Sequence, residues 1–170
     1  MSPLLAPGRF ERQIPPVWDK VTALWDDCQA FFAARGLAAE ETHSLTMASS
    51  ELLENAVKYG DWSHAPQAEV RLAIEVDHRT VTIEVRSPVA DDAAALRRLD
   101  DRIQWLRGFQ SSFEAYVERL KQVSALPMAE GESGLGLIRI AYEARCVLDF
   151  YLTPAQQLAM CAVYTPRGLY

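Results

Sequence analysis

Glu51-Leu-Leu-Glu-Asn55-Ala-Val-Lys58-Tyr-Gly60 is the stretch on which the reading of this chain turns. It runs on from Leu45-Thr-Met-Ala-Ser-Ser, so it reads as the second half of a helix stopped at a glycine. Helical spacing stacks Glu51, Asn55 and Lys58 at i, i+4 and i+7. Leu45, Ala48, Leu52, Ala56 and Tyr59 form a separate apolar stripe beside them. A carboxylate, a carboxamide and an ammonium then line the margin of a buried face. That set suits a magnesium-nucleotide site: an oxygen ligand for the metal, a carboxylate to act as base or to orient water, and a cation for phosphate. The plain alternative is an exposed helix with an ordinary ion pair, which Glu54 and Lys58 would make at i, i+4.

A second motif lies far downstream. Glu130-Gly131-Glu-Ser-Gly134-Leu135-Gly136-Leu137 opens the helical run 137–144. Three glycines let the backbone turn tightly and approach a ligand closely, with the free amides of a helix start facing it. A lone glycine cluster would otherwise read as a connecting loop. In this order, the two elements resemble the N box and the glycine-rich box of the GHKL ATPases, the group of gyrase and the histidine kinases. The short form without extra domains is similar to the bacterial anti-sigma serine kinases. The resemblance covers about residues 8–86 and 130–165.

The resemblance implies an α/β two-layer sandwich (the Bergerat fold), with a mixed, mostly antiparallel sheet and helices on one face. It implies one domain over 1–170, with a divergent helical segment at 89–130 where relatives carry a lid over the nucleotide. By the same resemblance Glu51 is the base or water-orienting residue, and Asn55 holds magnesium through the nucleotide. Lys58 is implied to contact phosphate, and Gly131, Gly134, Leu135 and Gly136 to line the nucleotide. The chain departs from the family after the strand Val81-Thr-Ile-Glu-Val-Arg86. There the family has an Asp followed by glycines, which accept the adenine amino group and shape the base pocket, whereas this chain reads Ser87-Pro88-Val89-Ala90-Asp91-Asp92. A hydroxyl accepts a hydrogen bond without charge and makes a weaker one. Pro88 holds Ser87 extended and removes a donor.

The expectation is an ATP-binding regulatory protein of the anti-sigma serine kinase type, using Mg2+ and ATP. It would phosphorylate or sequester a small partner protein, an anti-sigma antagonist or a sigma-factor-like regulator. The other reading is a kinase-derived interaction module with little or no nucleotide binding. Intact Glu51 and Asn55 favour the first; the missing Asp favours the second.

Bulk properties narrow the field. At 170 residues, 49% hydrophobic and 24% charged, the chain is long and apolar enough for one globular core. A net charge of −6 argues against nucleic acid and anionic membranes as partners. Cys28, Cys146 and Cys161 are odd in number and lack metal-type spacing, so they read as buried thiols of a reducing cytoplasm. His43, His64 and His78 show no ligand spacing either. No charged-then-apolar leader opens the sequence, no apolar run is long enough for a membrane span, and Met1 to Gly8 reads as a loose tail.

Periodicity supplies the rest. Phe10 to Pro16 reads as a leading strand, and Trp18, Val21, Trp25, Cys28 and Phe32 mark the core face of a helix over 18–34. Segments 69–76 and 80–86 alternate as a hairpin around Asp77-His78-Arg79, and two strands follow near 145–152 and 157–164. Between them, 91–107 carries Ala94, Leu96, Leu99, Ile103 and Leu106 at helical steps. Gly108 interrupts, and Phe113, Tyr116, Val117, Leu120 and Val123 continue to 126. This reads as a helical hairpin or one kinked helix. It either packs back onto the sheet or offers a partner or homodimer surface.

Overall fold

The alternation of Val70–Val76 (β2) and Val81–Pro88 (β3) decides the sheet. In β2, Val70, Leu72, Ile74 and Val76 are buried, as are Val81, Ile83, Val85 and Ser87 in β3, while Arg71, Glu75, Glu84 and Arg86 project to the other face. The computed structural model describes residues 4–109, 112–125 and 135–166. Gly8–Ile14 (β1), Val147–Leu152 (β4) and Gln157–Tyr164 (β5) complete a five-stranded sheet in the order β1-β2-β3-β5-β4. Every pairing is antiparallel, so the parallel component of the expected mixed sheet is absent among the described residues. The β2–β3 turn is locked by Asp77, whose carboxylate accepts the Arg79 and Thr80 amides at 2.6 and 2.7 Å.

Helices cover the inner face. Trp18–Ala33 (α1) buries Val21, Leu24, Cys28, Phe31 and Phe32. Trp18, expected in the core, is 52% exposed, and Trp25 is only half-buried. The stripe is rotated toward Leu24 and Phe31, and Trp18 is the first helical residue, beyond the core that begins at Val21. Gly36 then turns the chain at φ +85°, a conformation that favours glycine.

Ala39–Tyr59 (α2) starts where the Glu41 carboxylate accepts the Ala38 amide at 2.8 Å and the Tyr164 hydroxyl of β5. Leu45, Ala48, Leu52 and Ala56 are buried as expected, joined by Met47 and Leu53. The buried hydroxyls of Thr46 and Ser49 return to the carbonyls of Thr42 and Leu45, which removes the cost of burying them. Tyr59, assigned to the stripe, is 53% exposed because the helix ends there and its last turn overhangs the core. Gly60 does stop the helix, yet not by a left-handed turn, since its φ is −63°. A Cβ there would lie 2.6 Å from the Trp62 indole, whose Nε1 donates to the last carbonyls, Ala56 and Val57. Glycine is needed for that close approach.

Among the described residues of 89–130 lie two helices, Ala93–Arg107 (α3) and Ser112–Ala125 (α4). Asp92 caps α3 by accepting the Ala94 and Ala95 amides. Ile103 enters the core at 2% exposure, and Arg107 donates to the Leu148 carbonyl of β4 at 2.9 Å. On α4, Ala115 is buried and Tyr116 stacks on Tyr142 of Gly136–Tyr142 (α5), ring centroids 5.0 Å apart. Both helices are therefore docked on the fold, while Phe113 and Leu120 are exposed.

The leading residues are less loose than expected: Leu5 is buried, its amide donates to the His78 carbonyl, and Gly8 already belongs to β1. Cys28 and Cys146 are buried and Cys161 is half-buried; burial pushes each thiol up to about 12, so all three stay protonated and unreactive at neutral pH. Among the described residues no helix is long and apolar enough to cross a membrane.

Candidate functional site

Two elements far apart in sequence, α2 and α5, meet here. α2 has one face in the core, which leaves Glu51 and Asn55 at its margin, both half-buried. The start of α5 packs onto that margin. An ideal Cβ built on Gly136 would stand 2.7 Å from Glu51 Oε2 and 3.8 Å from Asn55 Nδ2. Only glycine permits so close an approach, so the Glu51 carboxylate, with the Asn55 carboxamide beside it, packs on bare backbone.

A third side chain completes the group, and sequence reasoning missed it. Arg139 Nη1 donates to Glu51 Oε1 at 2.6 Å, and its Nε and Nη2 reach the two oxygens of Glu143 at 3.2 and 3.4 Å. The only local signal was the i, i+4 spacing of Arg139 and Glu143, one turn past Gly136. Only 17% of the Glu51 side chain is exposed. Burial raises its pKa above the ordinary carboxylate value, and Glu54 and Glu143 push the same way; Arg139 opposes them. Glu51 is thus a carboxylate whose proton affinity its surroundings raise.

The remaining expected residues are distributed as follows. Leu135 immediately precedes α5, and its carbonyl accepts the Arg139 amide at 2.8 Å. Gly131 and Gly134 lie outside the described residues. Lys58 is exposed near the end of α2, its ammonium 5.2 Å from the Tyr59 ring centroid. Ser87 is 6% exposed and faces the helix layer at the end of β3, opposite Leu158. The next carbonyl, Pro88, accepts the Asp61 amide from the loop after α2, so Ser87 sits by the exit of that helix. Asp92 is engaged as the α3 cap, with Arg98 nearby at 3.9 Å, and its carboxylate is therefore committed to the helix start.

A family model described as the histidine kinase-like ATPase domain matches residues 14–142, the span holding Glu51, Asn55, Gly136 and Arg139. The chain belongs to that family. Among solved structures, this histidine kinase-like ATPase is similar to a chain of the SiaB–SiaC complex from Pseudomonas aeruginosa, with TM-score 0.67 and 17% identity over 91% of this chain and 88% of that one. At that identity the likeness concerns the fold, and it extends to nearly the whole of both chains. A search of curated protein sequences gives no match.

The residues present fit the magnesium nucleotide that the family implies. Asn55 brings a carboxamide and Glu51 a carboxylate, side chains with the hard oxygen donors magnesium prefers, and the missing Cβ of Gly136 lets the start of α5 come close to both. Gly136→Ala tests that close approach. The new methyl would push the Glu51 carboxylate aside against its bond to Arg139, and since such a partly exposed ion pair carries little of the fold's stability, the melting temperature should hardly change. The carboxylate would be displaced, and misplacement by about 1 Å costs up to about a hundredfold in rate. ATP turnover should therefore fall by about tenfold or more while thermal melts nearly superimpose.

Proposed function

We propose that this histidine kinase-like ATPase binds Mg-ATP at the α2–α5 junction and transfers the γ-phosphoryl group to a hydroxyl on a small protein partner, in the manner of an anti-sigma serine kinase. The observation that carries the reading is the convergence of Glu51 and Asn55 on the Cβ-less face of Gly136. Glu51 would draw the proton from the attacking hydroxyl, and Asn55 would hold magnesium through the nucleotide phosphates. Magnesium, when bound, neutralises charge that develops on the transferred group. Lys58, Gly134 and Gly136 are assigned to the phosphates, and Gly131 and Leu135 to the nucleotide more broadly. A solved fold neighbour was crystallised as a complex of two proteins, SiaB and SiaC, which accords with action on a protein partner. A cytoplasmic setting and a role for α3 and α4 as lid or contact surface, including between two copies, belong to the same proposal.

Ser87 is assigned to the adenine edge, from its inward position beside the exit of α2. With a neutral acceptor in place of a carboxylate, rejection of the wrong base loses its strongest element. Competing GTP against ATP should give a preference below about a hundredfold. A stronger preference would mean that another group reads the base.

One observation favours a second reading, an interaction module without catalysis: Glu51 is engaged by Arg139 while the family's adenine carboxylate is replaced by Ser87. Incubation of the protein with γ-labelled ATP and an extract of its own cells separates the two. Label on a protein, present with wild type and absent with Glu51→Gln, supports the kinase. Label released only as phosphate would reduce the activity to ATP hydrolysis, and no turnover at all would favour the module.

A further inference from the structure

Glu51 has two chemically equivalent oxygens placed in unlike surroundings. Oε1 receives the Arg139 guanidinium at 2.6 Å, whereas Oε2 points at the backbone of Gly136, 2.7 Å from where a Cβ would be. The guanidinium is held from behind by both oxygens of Glu143, one turn further along α5. A charge-assisted bond of that length fixes the carboxylate plane, because rotation about the terminal bond of Glu51 would break it. Arginine is suited to such a post because its planar fork binds Glu143 through two nitrogens and still has a third for Glu51.

We infer that Arg139 is a positioning residue for Glu51, anchoring Oε1 so that Oε2 is held against the bare backbone of Gly136 where α5 begins, with Glu143 as its support. This rests on the reading of Glu51 as the base. The groups facing the pair are Glu54 from α2, Glu143 from α5 and, toward the guanidinium, Tyr116 from α4. Arg139 also lies on the helix that α4 stacks against through Tyr116 and Tyr142.

The test uses Arg139→Gln, Arg139→Lys and Glu143→Gln in the full chain, with Mg-ATP as the ligand. Arg139→Gln should lower kcat by about tenfold to a hundredfold while nucleotide affinity changes by less than about threefold. Arg139→Lys, which keeps the charge, should recover part of that loss, and Glu143→Gln should fall between wild type and Arg139→Gln. In a Glu51→Gln background, Arg139→Gln should cost nothing more, since both act through one group. A kcat within about twofold of wild type, a parallel loss of affinity, or additive losses would each overturn the inference. A readout without nucleotide accompanies these: the Glu51 carboxyl-carbon resonance, assigned by its loss in Glu51→Gln, should move in Arg139→Gln, and a resonance that stays put would overturn it too. Wild type that binds no nucleotide would remove the reading of Glu51 and this role with it; normal turnover indifferent to Arg139 would remove the role alone.

Discussion

Glu51→Gln is expected to lower ATP turnover by about 10²–10⁴-fold, the usual worth of a positioned general base. The amide keeps the shape of the carboxylate, so nucleotide affinity should be nearly unchanged, and a kcat loss with constant KM is the signature. Stability should move the other way. Burial raises the pKa of Glu51 in the folded protein, so between the ordinary carboxylate value and the raised one the folded state binds more protons than the unfolded. Stability from this group therefore falls as pH rises through that window, and above it the ionised Glu51 is a net cost. Glu51→Gln should melt higher than wild type at pH 7, and that advantage should vanish at a pH below the ordinary carboxylate value. A variant that is slower and no more stable at pH 7 would show that the Arg139 pair offsets the burial completely.

Leu52→Ala, one residue along, should produce the largest structural effect. Leu52 is 1% exposed on the buried face of α2. Truncating such a leucine costs about 2–5 kcal/mol, against a total of about 5–15 for a domain. At about 2–4 °C per kcal/mol for this size, the melting temperature should fall by roughly 4–20 °C. Activity measured well below the new melting point should survive, because Leu52 faces the core and not the α2–α5 junction. The neighbours Glu51 and Leu52 would then separate cleanly, one affecting rate and the other stability. An unchanged melting temperature would mean that α2 is not seated as described.

What could be read in the sequence was whatever repeats locally. The period of two placed β2 and β3, and the turn chemistry of Asp77 placed the hairpin between them. The helical period found α2 and the buried Leu45, Ala48, Leu52 and Ala56. It failed at helix ends: Trp18 and Tyr59 are apolar enough for the core, but each occupies a terminal turn that the core does not reach. Gly60 was legible as a stop while its reason, room for the Trp62 indole, was not. The helical character of α3 and α4 was evident from Leu99, Ile103 and Tyr116, yet what they pack on is set by residues far away in sequence. The same holds for the site. Glu51, Asn55 and Gly136 could be named from their motifs, but the Glu51–Arg139 pair spans 88 positions, and no local pattern announces it.

Calorimetric titration of the full chain with Mg-ATP, beside Asn55→Ala, tests most directly whether the α2–α5 junction is a nucleotide site. Binding should be measurable and magnesium-dependent. It should be weaker than in relatives with the adenine carboxylate by about ten- to hundredfold, the worth of one charge-assisted hydrogen bond of about 1.5–3 kcal/mol. In Asn55→Ala the magnesium dependence should disappear. No heat and no thermal shift at millimolar nucleotide, or an Asn55→Ala variant that binds as wild type does, would contradict it.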